Sequence, residues 1–371
     1  MHAAGYALVV AAALACTSEP EGEGVVWRHT VGGGDVDSAS RSHIPKRDCK
    51  CSTQCSTPVP SVQPLWADKP GASTACFVNE DSAGLSELSR LEDGVYGAWC
   101  FTNDLGLAAR CLTPGDLAPA RGEGGATHML FLLGDSHAAA MVASLSAGLK
   151  GSMNVAWTAA LWGGGFNGPW PDLGNACQVD CPWLLDAYYD TNTTQLVQQH
   201  LSLLQQHVQP GDVVAVVTTE LRMPRAAFVD AQVEFLRGVA DTVSGLGATL
   251  LLIADVPKLA AAGKDCVDNA SPCLTPATQA IHYGPYIHQY TDSAFRGLAD
   301  TAGGTLYIDS DWVYSRLCAG GTCGATVPGT PTIAFYDAHH LTTAGSLFLA
   351  PFLTCYFLDK ALIDPPPPSP S

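Results

Sequence analysis

The sequence predicts an α/β fold for residues 126–359, a three-layer α/β/α sandwich around a parallel sheet. Short apolar runs with strand character alternate with longer stretches of helical periodicity, which is typical of this class. The run Val213–Val217 contains only valine and alanine, as expected of a strand that is buried on both faces of a parallel sheet. In such sheets, ligands bind at the carboxyl ends of the strands.

Hydrophobic periodicity and turn residues predict ten elements in this region. Pro210-Gly211, for example, ends one helix just before the next strand. The predicted order is strand Met129–Leu133, helix Ala138–Leu149, strand Asn154–Ala160, helix Gln195–Val208, strand Val213–Val217, helix Ala226–Ser244, strand Thr249–Ile253, helix Ile287–Thr301, strand Thr305–Ile308 and helix Ala344–Leu358.

Four further segments surround the predicted domain. Residues 1–15 contain the apolar stretch Ala3–Ala15, which ends in Ala13-Leu14-Ala15, the form of a signal cleavage site, although no Lys or Arg precedes it. We expect either a signal core or the end of a longer transmembrane segment. Residues 16–47 have the composition of a linker, 48–125 form a cysteine-rich extension, and 360–371 are a proline-rich tail.

The charge balance excludes one class of partner. The chain has 35 acidic and 18 basic residues, for a formal net charge of −17. A protein with this excess of negative charge is repelled by phosphate backbones and anionic membranes. We therefore expect no nucleic-acid partner.

Fourteen cysteines predict disulfides and an extracytoplasmic location, secreted or lumenal. Three short pairs, Cys177/Cys181, Cys266/Cys273 and Cys318/Cys323, favour disulfide bonds over metal binding. Cys49-Lys-Cys51-Ser-Thr-Gln-Cys55 lacks the second, evenly spaced pair that is usual in zinc sites. Asn192-Thr-Thr and Asn269-Ala-Ser are glycosylation acceptors if the chain follows a secretory route.

Two motifs supply the groups needed for acyl transfer. Gly134-Asp135-Ser136-His137 follows the first predicted strand, and Asp337-Ala-His339-His340 lies on a late loop. A serine, a histidine and a carboxylate in these positions match a nucleophile, a base and an orienting group. Two alternatives remain at this point: Ser136 only caps a helix, and the Asp and His belong to an ordinary turn.

These motifs resemble the SGNH hydrolases, also called GDSL esterases, and especially the SGNH domains attached to membrane acyltransferases that O-acetylate carbohydrates. The resemblance extends over about residues 127–358 and includes the strand and polar turn 212–224, the Cys318/Cys323 pair and the block 336–342. It implies a flavodoxin-like sheet with Ser136 as the nucleophile and Asp337 and His340 as acid and base. It also implies a membrane acyltransferase domain as a partner.

The family's oxyanion hole also uses a glycine and an asparagine, and neither is evident here. The turn Gly163-Gly164-Gly165 follows the second predicted strand and offers Gly163 and Gly164 for the first role, although a flexible turn explains it equally well. No Gly-x-Asn-Asp block follows Val213–Val217. Arg222 lies in the equivalent turn and is our candidate for binding an oxyanion or a sugar.

Other residues near the motifs have weaker functional signals. For His137 and His339 two interpretations are open: they line a sugar pocket, or they take part only in packing. Trp162, Trp170 and Trp183 suit sugar rings, but packing is the usual role of tryptophan. A metal site at Asp337, His339 and His340 lacks a further ligand, so we expect neither a metal nor a cofactor.

The sequence thus predicts serine-dependent chemistry on an acyl ester, either as an O-acetyl esterase or as an O-acetyltransferase. An acylated carbohydrate or another acyl donor is the expected substrate. The alternative is an inactive SGNH-fold module that binds carbohydrate or docks on a partner, since the third oxyanion donor is missing from the expected place.

Overall fold

The structure is a computed structural model that describes residues 128–159, 191–217, 219–220, 223–268, 273–330, 332–335 and 337–364. The predicted signal-like segment, linker and cysteine-rich extension, most of the proline-rich tail, and the Cys177/Cys181 pair lie outside these residues.

Five parallel strands form the central sheet: β1 (His128–Gly134), β2 (Met153–Ala159), β3 (Val213–Val217), β4 (Thr249–Ile253) and β6 (Thr305–Ile308). Their order across the sheet is β2-β1-β3-β4-β6. Strands β2 and β3 lie on opposite sides of β1, so the order in which successive strands are added reverses at β1. Such a switch point leaves a crevice at the carboxyl end of β1.

The sheet is buried on both faces because successive side chains of each strand point to opposite sides. In β1, Leu130 and Leu132 face one apolar cluster, whereas Met129, Phe131 and Leu133 face the other. This arrangement explains why the strands read as continuous apolar runs in the sequence. The fold is the predicted three-layer α/β/α sandwich.

Seven α-helices in the described residues cover the two faces and connect the strands. They are α1 (Ser136–Leu149), α2 (Thr191–His207), α3 (Ala226–Gly245), α4 (Gly263–Asp268), α5 (Pro285–Thr301), α6 (Ser310–Leu317) and α7 (Thr343–Asp359). Side chains of α1, α6 and α7 pack into one apolar cluster, and those of α2, α3 and α5 pack into the other. The first and last helices, α1 and α7, pack against each other. This contact brings the start of the described domain close to its end.

A small antiparallel sheet stands beside the main one. It consists of β5 (Thr275–Pro276), β7 (Cys318–Ala319) and β8 (Thr322–Cys323), in the order β5-β8-β7. Disulfides join Cys266 to Cys273 and Cys318 to Cys323, in agreement with two of the three predicted pairs. Among the described helices, none combines the length and apolar character needed to cross a membrane.

The predicted elements agree closely with the structure. Strands β3, β4 and β6 have the predicted limits, and β2 begins one residue earlier than expected. The short helices α4 and α6 and the antiparallel sheet were not predicted. They are too short for a periodic pattern to be distinguishable from a loop.

Gly134 allows β1 to lie against β3 at the point where the chain turns into α1. A Cβ atom at this position would stand 2.0 Å from the carbonyl oxygen of Val217 and 2.7 Å from the Cβ of Ala138, and its φ of +155° is one that residues with side chains rarely adopt. Only glycine permits this close approach without displacement of the backbone.

We therefore expect Gly134→Ala to lower the free energy of unfolding by about 2–4 kcal/mol, from overpacking and backbone strain. The control is Gly238→Ala on the exposed face of α3, where an added Cβ meets nothing within 4 Å. That change should stabilise the helix by up to about 1 kcal/mol. Urea unfolding of both variants tests the expectation, which is wrong if the two changes have similar effects.

Candidate active site

Ser136 is the first residue of α1, directly beyond the carboxyl end of β1. The N-cap of this helix is Asp135, whose Oδ1 accepts a hydrogen bond from the backbone N–H of His137 at 2.9 Å. The alternative that Ser136 only caps the helix is therefore wrong. Its hydroxyl is available for other contacts, and its backbone N–H lies at the positive end of the helix dipole.

His340 lies on a tight loop that the surrounding backbone holds on both sides. Phe335 pairs with Leu341 across the loop, and the carbonyl of Asp337 accepts a hydrogen bond from the N–H of Gly263 at 3.1 Å. Immediately after the loop, Thr342 caps α7 by accepting a hydrogen bond from the N–H of Gly345. These contacts fix the loop to α4 and α7.

Asp337 organises this loop from within. Its Oδ1 accepts hydrogen bonds from the backbone N–H groups of His339 and His340, both at 2.7 Å. Its Oδ2 lies 2.6 Å from Nδ1 of His340. Burial would raise the pKa of the Asp337 carboxyl, but its hydrogen bond and charge interaction with His340 lower that pKa well below its usual value. Asp337 is thus a carboxylate at neutral pH.

The other ring nitrogen of His340 meets the serine. Nε2 of His340 lies 2.7 Å from Oγ of Ser136. The structure thus brings together three side chains that the sequence motifs singled out, in the order carboxylate, imidazole, hydroxyl. This arrangement can take a proton from the serine hydroxyl while the carboxylate holds the imidazole in the required tautomer.

A second carboxylate and histidine lie next to this group. Asp255 follows β4 and is buried, with its Oδ1 2.5 Å from Nδ1 of His137. The contact is an ion pair in which the ring N–H is not aligned as a regular hydrogen bond. Nε2 of His282 lies 3.4 Å from Oδ2 of the same carboxylate.

The electrostatics of the buried pair favour the charged form of both partners. Burial lowers the pKa of His137, but the charge of Asp255 more than offsets that effect and raises it to about 9. Burial likewise raises the pKa of Asp255, but His137 outweighs it and holds the carboxyl well below its usual range. Both shifts favour an imidazolium beside a carboxylate at neutral pH.

Asp255 also fixes the polar turn that follows β3. Its Oδ2 accepts hydrogen bonds from Oγ1 of Thr219 at 2.9 Å and from the backbone N–H of Glu220 at 2.8 Å. The N–H of Thr219 is itself held by Oδ2 of Asp135 at 3.2 Å. Carboxylates after β1 and β4 therefore hold the turn after β3 between them.

The same turn is attached to the helical layer by Glu220. This buried carboxylate lies 2.7 Å from Nδ1 of His288 on α5. Burial lowers the pKa of His288, but the hydrogen bond to Glu220 more than offsets this and raises it. The contact anchors Glu220 to α5.

His339 lies between the two carboxylate–histidine pairs. Its Nδ1 is 3.2 Å from Nε2 of His137, and its ring centroid is 4.3 Å from that of His340. Burial and the nearby charge of His137 lower the pKa of His339 to about 3, so this imidazole is neutral. The alternative that His137 and His339 serve only packing does not account for these polar contacts.

Ring nitrogens of His137, His339 and His340 lie within 4.8 Å of one another, close enough in principle for a metal ion. Each histidine already has a polar partner within the group, because Nε2 of His340 bonds to Ser136 and Nε2 of His137 bonds to His339. Both oxygens of Asp337 are also engaged inside the loop. The contacts of these residues are those of a hydrogen-bonded cluster.

Three of the predicted site residues cannot be placed. Gly163, Gly164 and Arg222 lie outside the described residues, as do Trp162, Trp170 and Trp183. Conversely, no sequence motif pointed to Asp255. The available signal was its position two residues after the end of β4, since carboxyl ends of adjacent parallel strands meet at one edge of the sheet.

A family model described as "SGNH domain (fused to AT3 domains)" matches residues 99–354. The chain belongs to this family. No curated protein sequence matches the chain significantly. A similar solved structure is the periplasmic domain of the lipopolysaccharide acetyltransferase of Salmonella ser. Paratyphi A, with a TM-score of 0.49 and 19% identity over 76% of this chain and 98% of that one.

The buried pair predicts a pH-dependent contribution to stability. Removing one partner of such a pair costs about 3–5 kcal/mol, so Asp255→Asn should destabilise the protein by that order. Because the pKa of His137 is raised on folding, its full contribution to the free energy of unfolding is present below pH 6.5, the pKa of the unfolded state. This contribution is lost as the pH rises to about 9. The lowered pKa of Asp255 makes its own contribution decline as the pH falls below its ordinary value of 3.8.

The loss of unfolding free energy in Asp255→Asn should therefore be greatest between about pH 4 and pH 6.5 and become smaller towards pH 9. Urea unfolding of the wild type and the variant at several pH values measures it. The control is Asp300→Asn, at an exposed position on α5. A loss in Asp255→Asn that does not change with pH would contradict the charged pair.

Proposed function

We propose that this SGNH domain is a serine-dependent enzyme acting on acyl esters of carbohydrates, as an O-acetyl esterase or an O-acetyltransferase. The observation that carries the proposal is the continuous contact from Asp337 through His340 to Ser136, with distances of 2.6 and 2.7 Å. Membership of a family whose members are fused to membrane acyltransferase domains supports acyl-ester chemistry and a partner of that kind.

In the proposed first step, Nε2 of His340 accepts the proton of the Ser136 hydroxyl as Oγ attacks the acyl carbonyl carbon. The carboxylate of Asp337 stabilises the imidazolium that forms. The N–H of Ser136, at the start of α1, is placed to donate to the developing oxyanion. His340 then gives its proton to the departing alcohol oxygen, which leaves an acyl group on Ser136.

In the second step, an acceptor hydroxyl attacks the acyl-enzyme and His340 takes the proton of that hydroxyl. His340 then gives this proton to Oγ of Ser136 as the bond between the acyl group and Ser136 breaks. With water as the acceptor, the products are a carboxylic acid and the free enzyme. With a sugar hydroxyl, the product is a new ester. Both outcomes need the same three side chains, so the difference depends on which acceptor the site admits.

Hydrolysis of p-nitrophenyl acetate tests the proposal. Ser136→Ala and His340→Ala should each lower kcat by roughly a thousandfold or more, because each removes one member of a unit that acts together. Asp337→Asn should also lose most activity, since it removes the charge that stabilises the imidazolium. Gly238→Ala, on the far helix α3, serves as a folded control.

Equal rates for the wild type and the Ser136 and His340 variants would overturn the proposed chemistry. The remaining function would then be that of a carbohydrate-binding or docking module. Adding a sugar acceptor to the same assay separates the two enzymes: transfer increases p-nitrophenol release and yields an acetylated sugar, whereas hydrolysis yields acetate alone.

The disulfides support an extracytoplasmic location for the domain. Cys266–Cys273 and Cys318–Cys323 are bonded in pairs, and such bonds persist in oxidising compartments. We expect iodoacetamide without reductant to leave these four cysteines unlabelled in protein isolated from its native compartment. Mass spectrometry of the peptides measures this, and extensive labelling of all four would contradict the assigned location.

A further inference from the structure

The Asp255–His137 pair places a carboxylate beside Nδ1 of a histidine, as the Asp337–His340 pair next to it does. In both pairs a buried or half-buried carboxylate contacts Nδ1 of an imidazole, at 2.5 Å and 2.6 Å respectively. Nε2 of His137 contacts Nδ1 of His339, whereas Nε2 of His340 contacts the serine hydroxyl. Ester chemistry at Ser136 uses only Asp337 and His340, so the Asp255–His137 pair has no assigned role.

The direction of the hydrogen bond between His137 and His339 depends on how many protons His137 carries. An imidazolium has N–H groups at both ring nitrogens and no acceptor. If His137 is charged, its Nε2–H must donate, and Nδ1 of His339 must be the bare acceptor. If His137 is neutral with its proton on Nδ1, the bond reverses and His339 donates from Nδ1.

The surroundings of His137 favour the charged form. It is 3% exposed, and its nearest charged group is the carboxylate of Asp255. Asp135 and Asp337 add further negative charge and raise its pKa, while the other rings near it are those of His339 and His340. His339 is neutral, because burial and the charge of His137 lower its pKa.

We propose that Asp255 and His137 act on the site through His339: the N–H at Nε2 of His137 donates to Nδ1 of His339, which holds the His339 proton on Nε2. His339 thereby presents a fixed N–H donor to the ester bound at Ser136. Asp255 and His137 are positioning residues, and His339 is a substrate-binding residue. This inference rests on the proposed function.

The position of His339 suits this role. Its ring lies next to that of His340, with centroids 4.3 Å apart, and the Nε2 of His340 contacts Ser136 Oγ. Within the described part of the chain, Nε2 of His339 has no hydrogen-bond partner, so its N–H is available to a ligand. A donor here would add to the N–H of Ser136 in a family member that lacks the expected Gly-x-Asn-Asp block after β3.

Nitrogen NMR of protein with ¹⁵N-labelled histidine tests the hydrogen-bond direction without any substrate. In the wild type at neutral pH, we expect Nδ1 of His339 to be unprotonated and Nε2 to be protonated, with both nitrogens of His137 protonated. Spectra of His339→Gln and His137→Gln assign the signals. A proton on Nδ1 of His339, or a neutral His137, would overturn the proposal.

Kinetics of two His339 variants test the donor role. The amide nitrogen of Gln can replace Nε2 as a donor, whereas Leu fills similar space without one. We expect His339→Leu to lower kcat/KM for p-nitrophenyl acetate by about a hundredfold, the scale for loss of an oxyanion donor, and His339→Gln to keep most of the activity. Equal losses in both variants would reject the donor role.

The NMR experiment and the kinetics together distinguish failure of this inference from failure of the proposed function. If the wild type does not hydrolyse esters, the ester chemistry at Ser136 is rejected, and with it the donor role of His339. The NMR result then still decides whether Asp255 and His137 fix the His339 tautomer. If the wild type is active but His339→Leu behaves like the wild type, only the donor role of His339 falls.

Discussion

The close convergence of the carboxyl ends of β1, β3 and β4 is the constraint on which the site depends. Gly134 lets β1 approach the carbonyl of Val217, which places Asp135, Ser136 and His137 above the neighbouring strand ends. Asp255, at the end of β4, then reaches both the turn after β3 and the ring of His137. The sheet thereby gathers its polar groups where α1 directs its positive end.

Burial gives these polar contacts their strength and also makes them costly to leave incomplete. A buried carboxylate is tolerated only when paired and hydrogen-bonded, and Asp255 satisfies this through His137, Thr219 and two backbone N–H groups. The resulting rigidity suits a site in which an imidazole must meet a hydroxyl with little freedom. The Asp255–His137 pair thus contributes both to stability and to the electrostatic setting of Ser136.

Much of the fold follows from the sequence because the strands are short apolar runs separated by longer helical stretches. Val213–Val217 and Thr249–Ile253 could be delimited to the residue. The two motifs could be paired because a serine after the first strand and an Asp-x-x-His block on a late loop supply complementary groups in the order expected for acyl transfer. Asp255 could not be selected, since one aspartate after a strand is common and its partner His137 is distant in sequence. The short helix α6 was missed because eight residues carry little periodicity.

Reaction with a fluorophosphonate that modifies activated serines tests the central claim most directly. The account predicts a single adduct, located by peptide mass spectrometry on Ser136, which forms in the wild type and is lost in His340→Ala. Ser136 is activated only if the contact with His340 removes its proton. Absence of an adduct in folded wild-type protein, or equal labelling of His340→Ala, would contradict the account.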